Sequence, residues 1–203
     1  TGFGSALGCA FLLVLAIPVL SRETSGLFGL DKRGTIYDRH GVALAQNQSS
    51  DGKRHYPFQA LAAHLIGWLG PQEKSAGGTT TPGPIVGRHG VEAVMEPVLN
   101  AGGSVYLTID AWMQSIVETA LRHAGVTRGA VVVMDPRNGD VLALASVPDF
   151  DLNAFIPQIS GKVWDALNND PTNPLFNRAL HSYSPGSTFK ILVALAGLKS
   201  GRM

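Results

Sequence analysis

The segment Tyr183-Ser184-Pro185-Gly186-Ser187-Thr188-Phe189-Lys190 sets a hydroxyl and an amine three residues apart. At the start of a helix that spacing puts Ser187 and Lys190 on adjacent turns of one face. A serine hydroxyl is a weak nucleophile and needs a nearby base. A lysine amine can act as that base if burial or a second cation lowers its pKa from about 10.4 toward 7. The helix N-terminus also points free N–H groups at the serine, whose own backbone N–H can help hold a developing oxyanion. Pro185-Gly186 ends the preceding loop and starts the helix. One short stretch therefore supplies a nucleophile, a base and half of an anion site. The bare spacing is weak, since Ser50-Asp51-Gly52-Lys53 repeats it in a polar loop with no apolar helix behind it. That copy is read as chance. Without further context, Ser187 would be read as a helix N-cap.

The elements around this segment follow from pattern. Residues 187–197 are mostly apolar and read as a buried helix. Residues 34–46 read as two strands around a turn at Asp38–Gly41. Residues 58–69 carry Leu61, His64, Leu65 and Trp68 at helical spacing and predict an amphipathic helix. Pro71 to Gly87, rich in Gly, Thr and Pro, predicts a loop. Residues 90–100 predict a short helix interrupted by Pro97. Val105 to Ile109 is an expected strand. Asp110 is placed to cap a following helix of about 14 residues, with Trp112, Ile116, Val117 and Ala120 on one face. Ala130 to Met134 and Val141 to Ala145 are apolar strands joined through Asn138-Gly139, a strong hairpin signal. An Asn-, Asp- and Pro-rich loop covers residues 147–177, with a helical turn near 162–167.

Other residues with chemical potential point to less. The six histidines, at 40, 55, 64, 89, 123 and 181, form no His-Glu-x-x-His motif and no close pair on one helix, so no metal is expected. Asp135 to Asp140 departs from a calcium loop at Arg137 and at Ser146, where glutamate belongs. Asp149 and Asp151 read as solvated loop carboxylates rather than an acid–base pair. His64 faces the apolar side of its helix and reads as packed. Arg178 fits two roles equally, contact with a substrate carboxylate or capping of the preceding loop.

The first 20 residues set the compartment. From Phe3 to Leu20 there is no charge, and roughly 18 residues at about 1.5 Å each span close to the thickness of a bilayer core. A single membrane span is expected, with a cleaved signal peptide as the alternative; Pro18-Val19-Leu20-Ser21 makes a poor cleavage site. The one cysteine, Cys9, lies inside this run, so no intramolecular disulfide can support the fold. Hydrophobic residues at 45% and charged residues at 15% provide for a packed core and exclude global disorder. A net charge of +1 gives no footprint for nucleic acid. Thr1 at one end and Met203, inside an expected helix, at the other suggest a piece of a longer chain.

Pro185-Gly186-Ser187-Thr188-Phe189-Lys190 followed by Ile-Leu-Val-Ala-Leu-Ala-Gly-Leu resembles the acylation motif of penicillin-binding proteins. Further segments agree in order. Arg33-Gly34-Thr35-Ile36-Tyr37-Asp38-Arg39-His40-Gly41 resembles the hairpin that opens the pedestal of class B members. Arg54-His55-Tyr56-Pro57 through Gly67, then Gly87-Arg88-His89-Gly90-Val91-Glu92, resemble later pedestal elements. Leu107-Thr108-Ile109-Asp110 and residues 129–146 are similar to the start of the transpeptidase domain. Asn173-Pro174-Leu175-Phe176-Asn177-Arg178-Ala179 looks more like the elongation-type branch, similar to penicillin-binding protein 2, than the division-type one.

The resemblance implies an α+β chain. Residues 1–22 would be a transmembrane anchor, 23–103 a reduced β-rich pedestal, and 104–203 the first part of a β-lactamase-like serine transpeptidase domain. It implies a peptidoglycan D,D-transpeptidase on the outer side of the bacterial inner membrane, acting without a cofactor. Ser187 would be its nucleophile and Lys190 its base. Its partners would be stem peptides, β-lactams, the membrane and cell-wall elongation proteins such as a glycosyltransferase. Two features depart from the pattern. The stretches before Arg54 and between Glu92 and Val105 are shorter than the family's usual inserts. The Ser-x-Asn and Lys-Thr-Gly motifs do not occur, so residues 1–203 alone are expected to be inactive. A β-lactam sensor or class D β-lactamase shares Ser-x-x-Lys but lacks the Arg-Gly-x-Ile-x-Asp-Arg hairpin. A non-catalytic scaffold of the elongation complex is the reading from a different class.

Overall fold

A computed structural model describes residues 33–48, 52–76 and 79–201. Ile36–Tyr37 (β1) and Ala43–Asn47 (β2) form the expected antiparallel hairpin, with Ile36 opposite Ala45. Asp38 closes its turn, its Oδ1 accepting from the N–H groups of His40 and Val42 at 2.8 Å each. Gly41 takes φ +82°, which a Cβ would disfavour. Arg54–His55 (β3) pairs with the far end of β2.

The next stretch departs from expectation. The helix predicted over 58–69 shrinks to Ala63–Ile66 (α1). Gln59 and Ala62 adopt positive φ, 56° and 53°, which interrupts a right-handed run, and the Ala62 N–H turns to the Glu118 carboxylate at 2.8 Å. The predicted loop over 71–87 is instead an antiparallel pair, Leu69–Ala76 (β4) and Thr79–Gly87 (β5). A register shift between Pro71 and Glu73 accommodates the proline there, and a two-stranded ribbon leaves each strand one edge where no N–H is needed. Pro97 does not interrupt a helix but starts one: Gly90–Val94 (α2) and Glu96–Asn100 (α3) meet at Met95, with Pro97 in the first turn of α3.

Backbone packs directly on backbone where these pieces cross. A Cβ at Gly67 would lie 1.9 Å from the His89 carbonyl oxygen, and one at Gly90 would lie 2.4 Å from that of Leu65. Trp68, nearly buried, stacks on His89 at 4.2 Å and on Phe155 at 4.8 Å. Only Val105–Tyr106 (β6) of the strand expected over 105–109 is strand. It lies parallel to β1 and gives a sheet of order β3-β2-β1-β6. Ile36, Leu44 and Val105 of this sheet share one core with Leu99 and Ile109, each at most 1% exposed.

Arg54 of β3 belongs to a buried ionic knot. Glu92 accepts from Arg33 Nε at 2.8 Å, Arg54 Nε at 2.7 Å and the Tyr56 hydroxyl at 3.2 Å. Glu96 takes the Arg33 Nη2 at 2.7 Å, and Arg54 Nη1 donates to the Gly34 carbonyl. Burial, together with the Glu92 charge, pushes the Tyr56 hydroxyl well above its ordinary pKa, so it stays a donor. Arginines 33 and 54 and Glu92 come from three distant stretches, so the knot ties together the chain between positions 33 and 92.

Ala111–His123 (α4) follows, capped as expected by Asp110, whose Oδ1 accepts from Met113 N at 3.0 Å. Its buried face is not the apolar face that carries Trp112 and Ile116. Gln114 and Glu118 are buried, while Trp112 is 75% exposed and Ile116 47%. Hydrogen bonding decides this: Gln114 Oε1 accepts from Leu144 N at 2.7 Å while its Nε2 donates to Leu144 O and to Glu118. A side-chain amide that reproduces a strand partner can be buried at little cost. The strand it meets is Val141–Val147 (β8), paired antiparallel with Gly129–Met134 (β7) around the expected Asn138-Gly139 turn. Two further α-helices follow among the described residues, Gly161–Asn169 (α5) and Phe189–Lys199 (α6). The expected transmembrane anchor, residues 1–22, lies outside the described residues; among those described, no helix is long and apolar enough to cross a membrane.

Candidate active site

Ser187 sits in a single 3-10 turn, Gly186–Thr188, that runs directly into α6. Gly186 takes φ +53°, the left-handed conformation that turns the chain into the helix, and the Thr188 hydroxyl donates to the Pro185 carbonyl. Lys190 is in the first turn of α6. The two side chains therefore follow one another along a continuous helical path, as their spacing predicts. Both are exposed. The helix behind them is not buried as expected: Phe189, Ile191, Leu192, Val193, Leu195 and Leu198 are all more than half exposed. Apolar residues occur on every side of α6, the pattern of a helix made to be surrounded, yet nothing among the described residues surrounds it.

The loop that leads to Ser187 is held by its backbone carbonyls. Arg178, 8% exposed, donates through Nη1 to the carbonyls of Asn173 at 3.1 Å and Phe176 at 3.2 Å, and through Nη2 to that of Thr172. Its guanidinium carbon lies 5.5 Å from the centre of the Phe176 ring. Of the two roles open for Arg178, the geometry is that of loop capping. Ser146, buried on β8, accepts from Arg178 N at 3.0 Å and donates to Phe176 O at 3.3 Å. Asn177 caps the turn at Arg178–Leu180 by accepting from Ala179 N. From there the rings of Phe176, His181 and Tyr183 meet edge to face at 4.9 and 5.2 Å, two residues short of Pro185.

His64 belongs to this arrangement, although it is distant in sequence. Its Nε2 meets the Pro174 carbonyl at 2.7 Å, and its ring stands edge-on to Phe150 at 5.1 Å. Desolvation lowers its pKa, so the neutral ring donates from Nε2. It is packed, as expected, and also bonded. Asp149 and Asp151 do not pair: Asp149 meets Arg122 at 2.6 Å, and Asp151 caps the turn at Leu152–Phe155. Asp135 organises the β7–β8 turn, where the Arg137 side chain and N–H hold its carboxyl down at about 2. The second Ser-x-x-Lys copy begins at Ser50, outside the described residues. The roles of Ser146, Gln114 and Glu118 could not be read from local pattern, because each is set by a partner about 30 or more residues away.

Residues 129–203 match the family model of the penicillin binding protein transpeptidase domain. The chain is 36% identical over 185 residues to the peptidoglycan D,D-transpeptidase MrdA of Escherichia coli K12, covering 73% of this chain and 29% of that protein. That alignment is longer than the stretch of this chain it covers, so the E. coli protein carries inserted residues without counterpart here. The peptidoglycan D,D-transpeptidase PbpA of Mycobacterium tuberculosis is 38% identical over 191 residues, covering 79% of this chain and 36% of that one. Among solved structures, Pseudomonas aeruginosa PBP2 in complex with WCK 5153 superposes with a TM-score of 0.72 at 37% identity, covering 85% of this chain and 40% of that one. The chain thus spans about a third of the length of these relatives. Residues 129–203, Ser187 and Lys190 among them, thus match a penicillin-binding transpeptidase domain, and over most of its length the chain is similar to penicillin-binding protein 2.

Proposed function

We propose that this chain carries the nucleophile of a peptidoglycan D,D-transpeptidase. The observation that carries the reading is Ser187 on a tight turn at the N-terminus of α6, with Lys190 one turn on. The Ser187 Oγ attacks the carbonyl carbon between the two terminal D-alanines of a stem peptide. Lys190 takes the hydroxyl proton, the C–N bond breaks, and D-alanine leaves as the free amine with that proton returned to its nitrogen. An amine from a neighbouring strand then attacks the ester, loses a proton, and releases Ser187 as the hydroxyl, leaving a cross-link. The N–H of Ser187 supplies one oxyanion donor. A second donor, and a cation near Lys190, must come from structure that covers α6. The chain by itself is therefore expected to be inactive. β-Lactams would acylate the same hydroxyl.

The same reading divides the chain into an anchor at 1–22, a reduced pedestal at 23–103 and the first part of the transpeptidase domain from 104. The anchor would hold the protein in the bacterial inner membrane with the site on the outer side, beside elongation proteins such as a glycosyltransferase. The test uses a protein that carries this sequence within the full length of its relatives. Covalent labelling by fluorescent penicillin should be lost in Ser187→Ala and reduced by orders of magnitude in Lys190→Ala. Labelling of Ser187→Ala at the parent rate would overturn the assignment.

A further inference from the structure

The loop before Ser187 turns four successive or near-successive carbonyls toward side chains. Three of them, at Thr172, Asn173 and Phe176, are taken by Arg178, which lies in the same loop. The fourth, at Pro174, is taken by His64, 110 residues upstream. Of these four residues Pro174 is the buried one, and a buried carbonyl left without a donor is costly, so the bond from His64 is the one the loop can least lose. The Asn177 side chain returns a bond, its Nδ2 donating to the His64 carbonyl at 3.4 Å. His64 in turn cannot drift. Its neighbours Ala63, Leu65 and Ile66 are buried, and the N–H just before α1 is held by the Glu118 carboxylate on α4.

We propose that His64 is a positioning residue for Ser187: its Nε2–H, bonded to the Pro174 carbonyl, fixes the loop over 173–186 against α1 and so sets where the nucleophile turn begins. This rests on the reading of Ser187 as the nucleophile, but the tie itself can be measured without that chemistry. The imidazole does two separable things, filling space against Phe150 and donating one hydrogen bond. Phenylalanine keeps the first and loses the second, whereas glutamine keeps a donor at similar reach and loses the ring.

Hydrogen–deuterium exchange on the chain therefore distinguishes the bond from mere packing. In His64→Phe, amides over 173–186 should exchange about tenfold faster, the effect of losing one hydrogen bond, while β1 and β2 keep their protection. In His64→Gln the protection over 173–186 should return. Unchanged exchange over 173–186 in His64→Phe, or equal acceleration across the whole chain in both variants, would overturn the proposal. In a protein of the relatives' full length, His64→Phe should also slow penicillin acylation of Ser187, with His64→Gln restoring it. If Ser187→Ala is still labelled there, the nucleophile reading fails while the exchange result on His64 stands on its own.

Discussion

Arg54 Nε meets Glu92 Oε1 at 2.7 Å, and neither side chain has any solvent exposure. Arg33 reaches the other oxygen of the same carboxylate at 2.8 Å. Among the described residues the knot is not fully satisfied, because Arg33 Nη1 and Arg54 Nη2 find no partner there. Removing one side of a buried pair strands the other charge, at a cost of about 3–5 kcal/mol. Glu92→Gln should therefore lower the unfolding free energy by an amount in that range, read from urea denaturation of the chain. A loss below about 1 kcal/mol would show that water already reaches the guanidinium groups.

Glu118 gives stability a pH dependence of known sign. Desolvation raises its carboxyl pKa above the ordinary 4.5, against the opposing hydrogen bonds from Gln114 and Ala62. The folded state then binds its proton more tightly than the unfolded chain does. Stability from this group is complete below 4.5 and is lost as pH rises through the raised value. Glu118→Gln keeps an oxygen for Ala62 N and carries no charge. Its urea midpoint should fall less steeply than the parent's from pH 4.5 upward, and a slope unchanged from the parent would count against the argument.

Asp135 and Arg137 make a smaller, local prediction. The carboxyl is held at about 2 by the Arg137 side chain first and by the Arg137 N–H second. Arg137→Ala removes the first and keeps the second. A carbon-detected NMR titration should move the Asp135 midpoint upward, part of the way to 3.8. The β7–β8 turn should persist, since Asp135 N still donates to Asp140 O.

What could be read from sequence was what is set within a few residues. The turn into the last helix at Gly186–Thr188, the Asp38 turn, the Asp110 cap and the Asn138-Gly139 hairpin all depend on neighbours close in the chain. The inner face of α4 does not. Trp112 and Ile116 have the right spacing for a core face, yet Gln114 is buried because it imitates a strand partner for Leu144, 30 residues on. The β4–β5 ribbon was obscured by Pro71, Pro82 and Pro84, which argue against strands in a wide sheet but not in one of two strands. His64 had an apolar-face signature and nothing to announce Pro174. Tertiary hydrogen bonds leave no periodicity.

The glycines at 67 and 90 have a consequence for how this chain can vary. Where one backbone rests on another with no side chain between, there is no rotamer to adjust and no methyl group to trade. The φ values of +76° and +59° remove the remaining freedom for any L-residue with a Cβ. In a library of every single substitution selected for folding, the columns at these two positions should retain glycine alone. The column at the exposed Trp112 should stay broadly populated. Two atoms' width of missing side chain would then constrain the sequence more tightly than its largest aromatic ring.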